Sequence, residues 1–365
     1  MKIGILAPLK RELSFDTKGG RPRIVYNVVE GLVKRGHDVT VFGTGDSKIS
    51  AKLIPIISKA LFHLPQVEND FYRHIIYLCH MMEELRKRQG EFDIVHNHLY
   101  PEVLPLLFAK EIDMPMITTV HTQMTNELGD FFSKYPYTYF APISNRQKEL
   151  YQNLNYTKTV YNGIDEQTFT FSNMPGSYLL FVGRIRDFFK NEKGQKIDPK
   201  GVTDAIRVAQ KTGERLKILG NVESYQFFSR EIEPHLSDKI EFVGDPHSAE
   251  GNLSLKERVA LYQGAKALLL PVHWEEPFGM VMIEAMACGT PVIAYNKGAI
   301  PEVIDEGKNG FVVENEEQMV KAVADVPKID RSFCRKAVEE RFTIGAMVSG
   351  YETVYEDVIA LWKKK

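Results

Sequence analysis

The chain opens on a short apolar run, residues 2–7, followed by a polar loop that ends Thr17-Lys18-Gly19-Gly20. From about Pro22, the apolar residues Ile24, Val25, Val28, Val29, Leu32 and Val33 recur at three- and four-residue intervals, which predicts a helix with one buried face. Proline suits its first turn and Gly36 its stop. Residues 38–42 predict the next strand, and a strand, loop, helix and strand in that order imply a parallel sheet. Further strands are predicted at 94–96 and 116–120, with helices before and between them.

A second set of apolar runs follows at 178–182, 216–219, 240–243, 267–270, 291–295 and 310–313, separated by helical patterns. One of those helices opens with Ser254 and Glu257, a capping box. The turn-rich stretch 162–176 between the two sets reads as a linker, and a final helix over about 344–363 has no strand after it. The fold class expected is therefore α/β: two facing Rossmann-like, doubly wound parallel-sheet domains with a cleft at the carboxyl ends of their strands. No internal repeat is visible beyond this shared architecture.

Length agrees, since 365 residues at roughly 150 per domain suggest two domains. Lys and Arg number 46 against 48 Asp and Glu, which excludes binding nucleic acid through bulk basicity. Cys79, Cys288 and Cys334 are far apart and form no metal or disulfide pattern, and free thiols fit a reducing compartment. The opening apolar run imitates a signal peptide, but Pro8 and Lys10-Arg11-Glu12 close it too soon. No apolar run reaches 18 residues, and the expected location is cytoplasmic.

The chemistry concentrates in residues 274–291, Trp-Glu-Glu-Pro-Phe-Gly-Met-Val-Met-Ile-Glu-Ala-Met-Ala-Cys-Gly-Thr-Pro. A helix from about Gly279 to Gly289 is apolar all round except at Glu284, so it is buried and its carboxylate needs donors. Paired ribose hydroxyls are suitable donors, and an Arg or Lys from the neighbouring strands is the structural alternative. The N–H groups at the helix start favour phosphate oxygens, and Glu276 on the preceding loop faces the same pocket.

This segment resembles the donor-site signature of retaining glycosyltransferase family 4, enzymes of the GT-B fold. The likeness continues through Gly298-Ala299-Ile300-Pro301-Glu302-Val303-Ile304 and Asn309-Gly310-Phe311. Earlier in the chain it includes Gly19-Gly20, Asp93-Ile94-Val95-His96, Thr119-Val120-His121, Tyr161-Asn162-Gly163-Ile164-Asp165 and Phe181-Val182-Gly183-Arg184. The resemblance implies that Glu284 holds the ribose, Glu276 contacts the donor sugar, and the backbone of Phe278, Gly279, Met280 and Val281 lines sugar and phosphates. It further implies that the turn at Val243-Gly244 lies beside the base and that His121 sits by the sugar. The domains then become an acceptor-side domain, 1–165 with the returning helix 344–365, and a donor domain, 166–343.

The family pairs an Arg after this strand with a Lys a few residues on. Here a charged segment, 185–199, intervenes between Arg184 and three competing lysines, Lys190, Lys193 and Lys200. Lys200 is favoured, because Val202, Ala205, Ile206 and Ala209 after it fall at helical spacing. The segment itself reads as a surface loop, with a lid as the functional alternative. No two aspartates stand two apart, so the D-x-D element that holds a divalent cation in the other large glycosyltransferase fold is missing and no metal or other cofactor is expected. Arg184 and Lys200 supply fixed positive charge instead.

Other features carry less. His96 and His98 alternate at a strand end; with His121 they suggest either a metal cluster or, more simply, polar support for a loop. Gly19-Gly20 fits close backbone approach to a phosphate, although Pro22 stands where the family often has Glu. Lys10, Arg11, Lys18, Arg21 and Arg23 make the first loop basic, suited to an anionic acceptor or a membrane surface. Residues 52–64 offer an apolar acceptor wall, a peripheral membrane contact or ordinary core. The expected activity is transfer of a hexose from a nucleoside-diphosphate sugar, with UDP the expected carrier, to a saccharide, lipid or small-alcohol acceptor. The alternatives are a GT-B sugar-nucleotide epimerase, a phosphorylase, or a non-catalytic nucleotide-sugar binding protein.

Overall fold

The computed structural model describes residues 1–190, 194–248 and 253–364. The chain divides into two compact units, Met1–Ile164 with Thr343–Lys365, and Asp165–Phe342.

The first unit is built on six parallel strands: β1 (Lys2–Leu6), β2 (Asp38–Thr44), β3 (Lys52–Ile57), β4 (Ile94–Asn97), β5 (Met116–Thr119) and β6 (Tyr139–Ala141). Their order across the sheet is β3-β2-β1-β4-β5-β6, with Ile3 opposite Val39 on one side and Ile94 on the other. Both faces are covered, so the central strands are continuous apolar runs. The helix Asp70–Lys87 buries Leu78, Met81, Met82 and Leu85 against Leu6, Phe42, Ile54 and Val95.

The helix Gly20–Lys34 starts two residues before the expected Pro22. Gly19 turns the chain into it at φ +102, and Pro22 still lies in the first turn, where its missing N–H costs nothing. The last helix, Ile344–Trp362, lies on this unit rather than the other. It meets the first helix at Gly31, where a Cβ would stand 2.5 Å from Val348 Cγ2.

The stretch 52–64 forms no continuous apolar wall. Residues 52–57 are the edge strand β3 with Ile54 and Ile57 in the core, and Leu61–His63 is a short 3-10 turn that leaves Phe62 38% exposed.

The second unit repeats the plan with β7 (Tyr178–Val182), β10 (Leu216–Leu219), β11 (Ile240–Val243), β12 (Ala265–Leu270), β13 (Val292–Tyr295) and β14 (Gly310–Val313), in the order β11-β10-β7-β12-β13-β14. Between β7 and β10, the charged segment carries a two-stranded antiparallel hairpin, β8 (Phe189–Lys190) and β9 (Lys196–Ile197). The helix Leu255–Gly264 opens with the expected capping box: Ser254 Oγ accepts from Glu257 N, and Ser254 N donates to Glu257 Oε2 at 2.7 Å.

Each sheet therefore changes winding direction next to its first strand, between β1 and β4 and between β7 and β12. In open α/β sheets ligands bind outside the carboxyl ends of strands at such a point. The segments leaving these four ends carry Gly19-Gly20, His98, Arg184 and Glu276 respectively. Among the described residues, no helix is long and apolar enough to cross a membrane.

Candidate active site

The helix Met280–Ala287 is entered through Gly279, whose φ of +85 is accessible to glycine at little cost. Gly279 brings no capping side chain; Met282 N donates back to Gly279 O at 2.9 Å, and the Met280 and Val281 N–H groups are left to other partners. Met280 and Val281 are half-buried, and the helix is buried from Met282 onward. Within that buried part lies Glu284, 7% exposed, whose Oε2 accepts a hydrogen bond from the Tyr262 hydroxyl at 2.8 Å.

Among the described residues no Arg or Lys, the expected alternative partner, holds Glu284; the phenol of the preceding helix does. Burial, and then the Glu284 charge beside it, push the Tyr262 phenol well above its usual range. The same two causes push the Cys288 thiol up to about 12, so this cysteine is inert.

Glu276 is 9% exposed, and a single oxygen, Oε2, accepts from Lys200 Nζ at 2.9 Å and from Trp274 Nε1 at 2.8 Å. Two glycines allow this. Gly201, at φ +76, would place a Cβ 2.0 Å from Pro271 O, so only glycine lets residue 200 approach the exit of β12. Gly298, at φ +60, packs its Cα on the Glu276 backbone, where a Cβ would stand 2.2 Å from the carbonyl oxygen. Ala299 N also donates to that carbonyl at 2.9 Å. Upstream, the buried Asp198 accepts from Lys200 N at 3.1 Å and Thr203 N at 3.0 Å, fixing the turn that presents the lysine.

Of the three competing lysines, Lys200 is thus the one beside Glu276. Lys190 is exposed on the β8–β9 hairpin, and Lys193 lies outside the described residues. Arg184, directly after β7, is half-exposed and donates to Glu223 Oε1 at 3.2 Å; Arg186 reaches the other oxygen of that carboxylate at 3.6 Å. Arg184 and Lys200 therefore each rest on a carboxylate. Val243 ends β11 and Gly244 turns away at φ +107. The Phe278 side chain is buried edge-on against Phe342, leaving its backbone as what it could offer a ligand.

In the first unit, two of the five basic loop residues turn inward, which corrects their reading as an anion-attracting surface. Arg21 donates to Leu99 O at 2.6 Å and Glu102 Oε1 at 2.7 Å, and the buried Arg23 donates to Thr17 O at 2.9 Å. His121 follows β5, and its Nε2 is 2.9 Å from Nδ1 of the fully buried His98. His96 bridges Tyr355 at 2.7 Å and Thr119 at 2.8 Å. Burial is the first cause that lowers the pKa of all three, His98 to about 3, with Arg21 acting further on His98 and His121. The trio is neutral at pH 7.

Sequence reasoning passed over Tyr262, Trp274 and Glu223 as partners of the charged groups. Trp274 sat within the signature segment, two residues before Glu276; the other two carried no signal, because their roles depend on tertiary placement.

Residues 172–340 match the family model described as glycosyl transferases group 1, and residues 18–168 match that of glycosyltransferase family 4. The chain belongs to this family and is a glycosyltransferase of the GT-B type. The N-acetyl-alpha-D-glucosaminyl L-malate synthase of Bacillus anthracis is 24% identical, over 98% of this chain and 97% of the relative. Among solved structures, sucrose-phosphate synthase from Thermosynechococcus elongatus superposes with a TM-score of 0.78 at 16% identity, covering 99% of this chain and 100% of the other. Anabaena HepE in complex with UDP-glucose gives 0.67 at 15% identity, covering 98% and 100%.

Proposed function

We propose that this glycosyltransferase moves a hexose from a nucleoside-diphosphate sugar, with UDP as carrier, to a hydroxyl of a saccharide, lipid or small alcohol, retaining the anomeric configuration. The observation that carries this reading is Glu284: a buried carboxylate, in an otherwise apolar helix, held by a phenol. A neutral donor satisfies part of its hydrogen-bonding capacity and leaves its negative charge in place for the two ribose hydroxyls.

The diphosphate is assigned to the N–H groups at the start of the helix Met280–Ala287. As the bond from the anomeric carbon to the phosphate oxygen breaks, the electron pair leaves with the diphosphate, the acceptor oxygen takes its place on carbon, and the acceptor's hydroxyl proton passes to the departing diphosphate oxygen. The developing charge meets Arg184 and Lys200, released from Glu223 and Glu276, so the role given to a metal elsewhere falls to two side chains. Glu276 then holds the sugar hydroxyls, and Val243-Gly244 flanks the base. The free cysteines support a reducing, cytoplasmic setting.

Incubation with a panel of UDP- and GDP-linked hexoses tests the reading. Slow release of nucleoside diphosphate without acceptor is expected from at least one donor, and failure of every donor to bind or turn over refutes it.

A further inference from the structure

Trp274 has no part in the roles assigned above, yet it touches both charged groups of the site. Its Nε1–H donates to Glu276 Oε2 at 2.8 Å, and the Lys200 ammonium lies 4.2 Å from its ring centroid. Lys200 Nζ also reaches that same Oε2, at 2.9 Å. Lysine, carboxylate and indole thus close a triangle, with the carboxylate 11% and the lysine 16% exposed at their side chains.

The proposed function, on which this inference rests, requires Lys200 to leave Glu276 for the diphosphate. A nearly buried carboxylate that loses the cation paired with it is strongly disfavoured unless another donor remains. The indole N–H is that donor, and it keeps the carboxylate aimed while the lysine moves. The ring face meanwhile attracts the ammonium without holding it to one geometry, as a hydrogen bond would. We infer that Trp274 is a positioning residue, which keeps Glu276 in place while Lys200 passes from that carboxylate to the leaving diphosphate.

The chain has two tryptophans, Trp274 and Trp362, which makes the inference accessible to spectroscopy. In a Trp362→Phe protein, Trp274 is the sole indole emitter. UDP is expected to change its emission saturably, with the midpoint that calorimetry gives for UDP binding, as the ammonium leaves the ring. In otherwise native protein, Trp274→Phe keeps an aromatic face and removes the donor; kcat is expected to fall about tenfold with the donor KM within about threefold. Trp274→Leu removes both and is expected to raise KM as well.

UDP binding by calorimetry with unchanged Trp274 emission overturns the inference and leaves the donor site standing, as does an unchanged kcat in Trp274→Phe. Absence of binding by UDP and GDP alike overturns both together; where GDP alone binds, the same emission titration is read with GDP. Should Trp274→Phe fail to fold, the emission of the Trp362→Phe protein still decides.

Discussion

The Tyr262 hydroxyl and the Glu284 carboxylate meet at 2.8 Å inside the second unit, so a buried acid is held by a neutral group. Tyr262→Phe removes that donor and leaves the rest of the packing intact. The expected cost is about 1–3 kcal/mol of stability, the usual result of stranding one buried acceptor. Urea denaturation of the two proteins measures it, and equal midpoints would show that the bond contributes nothing.

Arg184 and Glu223 form the second pairing that the proposed reaction has to undo. Arg184→Met is expected to lower kcat by about 100-fold while changing the affinity for donor by no more than about threefold, because the charge it meets develops only as the diphosphate departs. Steady-state kinetics beside equilibrium binding separates the two. Glu223→Gln should act in the other direction, tightening nucleoside-diphosphate binding modestly and most visibly at low salt, where an exposed charge is least screened.

The histidines of the first unit impose a pH dependence with a definite sign. His96, His98 and His121 have pKa values lowered by burial, so the folded state resists protonation that the unfolded chain accepts. Their contribution to stability is complete above about pH 6.5 and is lost as the pH falls towards the folded values, by up to about 1.4 kcal/mol per pH unit for each histidine. Denaturation midpoints at pH 7.5 and 5.0 sample this window before most carboxylates titrate. A decline that is shallower in His98→Gln is expected; a flat profile in the native protein contradicts the assignment.

Gly298 separates backbone strain from packing. Gly298→Ala places a methyl 2.2 Å from the Glu276 carbonyl oxygen at a φ of +60, so the loop bearing Glu276 has to shift. Gly36→Ala is the control, since its φ is +83 but a Cβ would meet nothing within 4 Å. The control is expected to lose about 1–2 kcal/mol from backbone strain alone. Gly298→Ala should lose more and should also depress turnover. Thermal unfolding and turnover of both variants give the comparison.

The sheet plan was legible because strands buried on both faces are plain apolar runs, as in Lys2–Leu6 and Val292–Tyr295. Lys52–Ile57 was not, because an edge strand interrupted by Pro55 buries only alternate parts of its length, and Tyr139–Ala141 is three residues long. In the candidate site, the burial of Glu284 followed from the apolar residues around it in sequence. Its partner did not, since Tyr262 arrives from another helix 22 positions away. Lys200 stood out through the helical pattern after it, whereas its contact with Trp274 and Glu276 depends on how the exit of β12 packs against Gly201. The basic first loop misled for the same reason: Arg21 is turned inward by Glu102, 81 residues on.

Calorimetric titration of UDP and GDP into the native protein and Glu284→Gln tests the ribose assignment most directly. Glutamine keeps the shape and an acceptor for Tyr262 but removes the charge that favours ribose hydroxyls. The account predicts that one of the two nucleotides binds the native protein and that Glu284→Gln, still folded, binds it at least about tenfold more weakly. Equal affinity in the two proteins, or no binding of either nucleotide to the native one, would contradict it.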